Sequence, residues 1–285
     1  MMNNFCVFIL SHGRADNVVT YQTLRNRGYT GRIVVIIDNE DKQAAKYKNK
    51  YGDEVYVFDK AAIAKTVDNG DNFNNLRTTT HVRNAIFETA KQMGIESFVM
   101  LDDDYVDFRY KFSSDHKYGD FLVKKNLDRI FQFTVNYLKS CEKLSCIAYS
   151  QGGDFMGGAN GIYAKKIRTK RKIMNSFFCL TDRPFKFISR LNEDVNTYLS
   201  LGARGVLFLT INQFALNQKQ TQTNKGGMSD AYLEGGTYMK SFYSVMYAPS
   251  CTRVMTIGAV HPRLHHKINW KYAAPYVVSE NVKKK

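Results

Sequence analysis

Apolar residues in this chain gather into short unbroken runs, separated by capped segments of helical period. The runs share a habit of ending in polar or acidic residues. Phe5-Cys6-Val7-Phe8-Ile9-Leu10 passes into Ser11-His12-Gly13-Arg14-Ala15-Asp16-Asn17, and Gly31-Arg32-Ile33-Val34-Val35-Ile36-Ile37 passes into Asp38-Asn39. Such runs read as strands buried on both faces. Asp16 or Asn17 can cap a helix that carries Val18, Val19 and Leu24 and stops near Gly28. Lys42 to Tyr51 predicts a basic surface helix closed by Gly52, and Glu54 to Phe58 alternates as a third strand. Asn69 to Thr80 reads as a long loop, after which Val82, Ile86, Ala90 and Met93 predict a helix over His81 to Gln92. The run Ser97-Phe98-Val99-Met100-Leu101 then meets three consecutive carboxylates, Asp102, Asp103 and Asp104.

Beyond them, Leu127, Ile130, Phe131, Val135 and Leu138 define an amphipathic helix, and Ser145 to Tyr149 a strand. Gln151 to Gly161 has five glycines in eleven residues, a closely approached loop or a plain surface one. Asn192 is placed to cap a helix that turns Val195, Tyr198 and Leu199 inward and ends at Gly202. Val206 to Thr210 and Thr256 to Val260 read as strands, with a second polar, Gly-rich loop over Asn217 to Gly236. The pattern predicts an α/β fold: a Rossmann-type, mostly parallel sheet flanked by helices, with a Gly-rich and basic second half.

Candidate chemistry starts at the three acids. Side chains alternate along an extended backbone, so Asp102 and Asp104 point one way and Asp103 the other. Two converging carboxylates repel unless a cation joins them, and oxygen ligands suit Mg²⁺ or Mn²⁺. An acidic run in a solvated turn is the alternative; the apolar run just ahead favours the end of a central strand, where α/β sheets bind ligands. Arg83, in a first helical turn, implies a nearby anionic ligand or a salt bridge. Glu193 and Asp194 suit a helix N-terminus as ordinary dipole partners. Among His261, His265 and His266, one could complete the cation site, or all could be surface or core histidines. The sequence has neither G-x-G-x-x-G nor G-x-x-x-x-G-K-[ST], which removes dinucleotide and P-loop readings.

Composition changes the picture in one respect. Length and apolar content are those of a soluble globular protein, but 41 Lys and Arg face 26 Asp and Glu, a net charge of +15 that favours polyanions. Lys165 to Arg190 carries nine basic residues against Asp182 alone, interleaved with Phe177, Phe178, Phe185 and Phe187. Lys165, Lys166, Arg168, Lys170, Arg171 and Lys172 are the candidate nucleic-acid contacts, with a solvated strand and core phenylalanines, or a small targeting patch, as the alternatives. Five scattered cysteines read as reduced thiols, no signal peptide is evident and no membrane span is expected, so a cytoplasmic protein without a membrane partner is expected.

The first-strand segment ILSHGRADN, the second-strand segment VVIIDNEDK, LDDDY and NEDVNTYL together resemble the phage-encoded TET-associated glycosyltransferases, which are GT-A-like enzymes adding sugars to 5-hydroxymethylpyrimidines in DNA. The resemblance runs from Phe5 to about Trp270. It implies a GT-A-like single domain, with residues 1–110 as the nucleotide-sugar half and 111–285 as the acceptor half. It further implies that Ser11, Arg14, Asp38, Arg83 and Asp102 hold a UDP-sugar, that Asp102 and Asp104, with His261 a candidate third ligand, hold Mn²⁺ or Mg²⁺, and that Asp194 with Glu193 forms the acceptor-side carboxylate. The acceptor would be double-stranded DNA carrying hydroxymethylated cytosine, and the location the host cytoplasm. A GT-A enzyme acting on a glycan or lipid, and a non-catalytic DNA-binding protein, are the competing readings.

Overall fold

The structure is a computed structural model and describes residues 4–165, 171, 176–218, 228–258 and 262–273. In chain order the strands are β1 (Phe5–Leu10), β2 (Arg32–Asp38), β3 (Val55–Phe58), β4 (Ser97–Asp102), β5 (Tyr105–Phe112), β6 (Tyr118–Leu122), β7 (Leu144–Gln151), β8 (Phe177–Leu180), β9 (Leu207–Gln218), β10 (Thr252–Ile257) and β11 (Arg263–Ile268). The helices are α1 (Val19–Asn26), α2 (Ala44–Tyr51), α3 (Lys60–Ala64), α4 (Thr79–Gln92), α5 (Leu127–Ser140), α6 (Ile162–Lys165), α7 (Glu193–Gly202), α8 (Met228–Tyr247) and α9 (Trp270–Ala273).

Among the described residues, nine strands form one sheet in the order β3-β2-β1-β4-β8-β7-β9-β5-β6. The first four are all parallel, as the continuous apolar runs predict. β8 then enters antiparallel to both β4 and β7, while β7 and β9 are parallel and β5 and β6 close the far edge antiparallel. The sheet is therefore mixed, with a parallel Rossmann-type half. β1 has β2 on one side and β4 on the other, so the winding reverses there. That is the switch point at which a crevice opens beyond the strands' C-terminal ends.

Strand alternation explains how one run serves two cores. Val7, Ile9, Val99 and Leu101 pack with Leu24 of α1 and with Leu127, Ile130, Phe131, Val135 and Leu138 of α5. Cys6, Phe8, Phe98 and Met100 face the opposite layer with Ala85, Ile86, Phe87 and Ala90 of α4. Successive side chains take opposite faces, and helices cover both, so no position in the run can be polar until the strand ends.

Several expectations shift. β5, β6 and β11 were not foreseen, and the strand expected over Thr256 to Val260 is β10, Thr252–Ile257, with residues 259–260 outside the described ones. Much of the expected loop over Asn217 to Gly236 is the start of α8; α8 packs on β10 and β11, and that tertiary packing outweighs the glycines' poor helix propensity. Residues 219–227 lie outside the described residues. Asn192 does not cap α7 with its side chain: it sits at φ 62° and donates to Ser244 Oγ (2.6 Å). Phe177 and Phe178 are core residues because β8 lies inside the sheet, and Phe187 is buried against Phe177. Among the described residues no helix is long and apolar enough to cross a membrane.

Candidate functional site

Four segments meet at the switch point: the loop after β1, the end of β2, the acidic turn after β4, and the first turn of α7. The acidic turn is held from below by α1. Thr20 Oγ1 donates to the Asp102 carbonyl (2.6 Å) and accepts from the Tyr105 amide (2.9 Å), while the Thr20 amide donates to the Asp103 carbonyl (3.1 Å). Three consecutive carboxylates consequently leave the strand towards three different partners.

Asp102 Oδ1 accepts from Arg83 Nη2 at 3.1 Å. Arg83 is only 1% exposed, lies over the Phe177 ring, and its Nε reaches Glu193 Oε1 at 3.2 Å. One guanidinium thus spans from the carboxylate ending β4 to the one opening α7, and Thr79 Oγ1 also donates to Glu193 Oε1. Asp103 accepts from Ser11 Oγ (2.6 Å) and Arg14 Nη1 (3.0 Å); it and Asp104 form the turn after β4, so extended alternation stops at Asp102 and does not set their directions. Asp104 Oδ1 accepts from Gln218 Nε2 (2.8 Å), at the end of β9. Glu193 is the more buried of the two α7 acids and is committed to Arg83; Asp194 is half-buried.

Electrostatics separates this turn from its neighbour. Burial pushes the Asp102 carboxyl up to about 7 despite Arg83, with Asp104, Glu193 and Asp103 adding to the rise. Burial likewise raises Asp103 and Asp104. At the end of β2 burial also opposes the charge of Asp38, but the His12 Nδ1 contact at 2.7 Å and the nearby Lys60 outweigh it, and its pKa is lowered. Asp41 is tied to the Gly13 amide at 2.7 Å, where Gly13 takes φ +67°. Among the described residues no group of three His, Cys, Asp or Glu side chains is spaced to hold a metal ion. The pair Asp102 and Asp104 nonetheless fits a small hard cation, since Mg²⁺ commonly takes one or two carboxylates and completes its shell with substrate phosphates and water.

The structure therefore brings Ser11, Arg14, Arg83, Asp102 and Glu193 into one connected network, with Asp38 beside it on the neighbouring strand. Ser11 and Arg14 are engaged by Asp103, which ties the loop after β1 to the acidic turn after β4. His261 lies outside the described residues, as do Lys166, Arg168, Lys170 and Lys172, and the Lys165 side chain is not described. Arg171 does not offer its charge to solvent: it is 4% exposed and paired with Asp154. Arg183 and Arg190 are also turned inward, to the carbonyls of Leu138, Cys141 and Leu144 and to Asp71. Of the other histidines, His266 is buried with Nδ1 3.3 Å from the Asn192 amide nitrogen, and His265 stacks on it. Gln218, Thr79 and Thr20 were not foreseen, and no motif marks them. Tyr47 could have been found, as the aromatic least expected on a basic surface helix; it is buried and its hydroxyl meets Ser11 Oγ (2.7 Å) and the Arg14 amide (2.8 Å).

Comparison with known proteins adds a family. The model of the TET-Associated Glycosyltransferase family matches residues 5–227. No curated protein matches. Among solved structures, glucosyl-3-phosphoglycerate synthase from Mycobacterium tuberculosis, with Mg²⁺ and UDP, aligns at 8% identity and TM-score 0.49 over 94% of this chain and 88% of its own. S. aureus TarS 1-349 with UDP-GlcNAc aligns at 11% identity and TM-score 0.44, over 85% and 67%. Mannosyltransferase PcManGT from Pyrobaculum calidifontis, with GDP-Man and Mn²⁺, aligns at 9% and 0.43, over 86% and 73%. Likeness this distant carries nothing about donor, metal or acceptor.

Proposed function

The chain belongs to the TET-Associated Glycosyltransferase family and is a glycosyltransferase, and on that premise we propose that it moves a sugar from a UDP-sugar to 5-hydroxymethylcytosine in double-stranded DNA. The observation that carries the reading is the Arg83 bridge between Asp102 and Glu193, because it sets the acids of the donor edge beside those of α7 in one crevice. The donor half comprises residues up to about 110 and the acceptor half the remainder of the same domain, with β5 straddling the boundary.

In the reaction, the hydroxymethyl oxygen attacks the anomeric carbon, the bond from that carbon to the UDP β-phosphate oxygen breaks, and the hydroxyl proton leaves to a base. Asp194 is that base: it is the less buried of the two acids that open α7, while Glu193 is held by Arg83 and Thr79. Asp38, oriented by His12, sits at the strand end where a ribose or base would lie, and Ser11 and Arg14 border the diphosphate. Mn²⁺ or Mg²⁺ held by Asp102 and Asp104 would supply positive charge to the departing diphosphate. A base in a duplex presents its hydroxymethyl group to such a crevice only after extrusion.

Hydroxymethylcytosine duplex, a panel of UDP-sugars and Mn²⁺, followed by nucleoside mass spectrometry, test the proposal directly. A glycosylated nucleoside is the expected product. Asp104→Ala should lower transfer by at least about a hundredfold, comparable to deleting one transition-state charge stabiliser, with duplex binding retained. Transfer by that variant at the wild-type rate refutes the cation site, and product on a glycan or lipid acceptor but not on DNA refutes the acceptor.

A further inference from the structure

The family match ends at residue 227, yet the chain continues into α8 and the β10–β11 hairpin. From Gly235 to Ser279 the sequence has no Asp or Glu, while Lys240, Arg253, Arg263, Lys267 and Lys271 fall inside it. In the hairpin, Arg253 lies directly across from Lys267, and Arg263 across from Ile257. By strand alternation these three cations share one face, and all three are exposed. The opposite face contributes Thr252 and His266, both buried, on the side where α8 packs. Like charges directly opposite each other destabilise a strand pair, and Gly235 to Ser279 supplies no acid to offset them, so an anion from outside this segment would relieve the arrangement.

Position says which anion. Asn192, the residue before Glu193 and Asp194, holds α8 through Ser244 Oγ (2.6 Å) and β11 through His266 Nδ1 (3.3 Å). The hairpin is therefore braced against the acceptor-side turn. We infer that the outward face of the hairpin, through Arg253, Arg263 and Lys267, docks the phosphate backbone of the acceptor duplex, while its buried face rests on the acceptor-side turn. This rests on the DNA reading above. It replaces Arg171, which is buried and paired with Asp154, with cations that are exposed.

The experiment is a titration of unmodified labelled duplex across a range of NaCl concentrations, with UDP binding by calorimetry alongside. The triple variant R253A/R263A/K267A should bind duplex at least about tenfold more weakly, and the slope of log affinity against log salt should fall by roughly 2.7, about 0.9 for each phosphate contact removed. UDP binding should be unchanged. The charge-preserving variant R253K/R263K/K267R should keep the wild-type slope, and its failure to do so overturns the inference. Wild-type affinity and slope in the triple variant overturn the hairpin alone. A wild-type protein that does not bind duplex overturns the DNA acceptor and the hairpin with it. Loss of binding to anionic phosphatidylserine vesicles with duplex binding intact assigns the face to lipid and overturns it too.

Discussion

Two strand ends in this molecule carry acids, and they are solved in opposite ways. At the end of β2, Asp38 and Asp41 are matched by His12, Lys60 and a backbone amide, and Asp38 is held below the usual carboxylate range. At the end of β4, Asp102, Asp103 and Asp104 share Arg83 and Arg14 with Glu193, and burial raises all three. The difference teaches which end is complete. The β2 end is an internally neutralised scaffold; the β4 end is short of positive charge and gains most from a ligand that brings some.

The largest effect that could break this comparison is expected at Arg83. Arg83→Ala leaves Asp102 and Glu193 buried without their shared cation and should cost about 3–5 kcal/mol by urea denaturation. A loss below about 1 kcal/mol, the scale of a surface pair, would mean the bridge is incidental.

A sharper test uses sign. Asp102 has a folded pKa raised to about 7, so the folded state holds its proton more tightly than the unfolded chain, and that stability is present at low pH and lost as pH rises from about 4 through about 7. Asp102→Asn should therefore be more stable than wild type at pH ~8 without divalent cations, by on the order of 1–3 kcal/mol, and equal to it near pH ~4. An unchanged or lower midpoint at pH ~8 would show that the acid is already compensated.

Asp38 has the opposite sign and the smallest effect. Its folded pKa is lowered, so its stabilisation is present above the unfolded value and disappears as pH falls through the folded one. Asp38→Asn should lose up to about 1 kcal/mol at neutral pH, discounted because His12 is half-exposed, and nothing in strong acid. Thermal melts over the acid range would show it, and a gain in stability at neutral pH would erase the contrast between the two ends.

Much of the parallel half could be read from residues alone. β1, β2 and β4 are buried on both faces, so they appear as unbroken apolar runs, and the polar or acidic residues that follow mark where cover stops. β5 escaped notice because a tight turn at Asp103 and Asp104 starts a new, half-buried strand whose alternation, polar at Asp107 and Arg109, looks like surface. Phe177, Phe178 and Phe187 beside a basic stretch suggested a binding face, whereas the place of β8 between β4 and β7 puts Phe177 and Phe178 in the core and Phe187 packs on Phe177.

What the chain's order of residues determined was which segments form buried strands, where those strands end, and that carboxylates stand at the ends; these follow from local periodicity and from the need to keep charges out of a two-sided core. Only the tertiary structure decided which partner each acid meets. Asp104 and Gln218 are 114 residues apart, Arg83 and Glu193 110, and Arg14 and Asp103 89. No local pattern encodes such pairs: they exist because the sheet's winding reverses at β1 and brings distant strand ends to one crevice, where the balance of burial and charge is set.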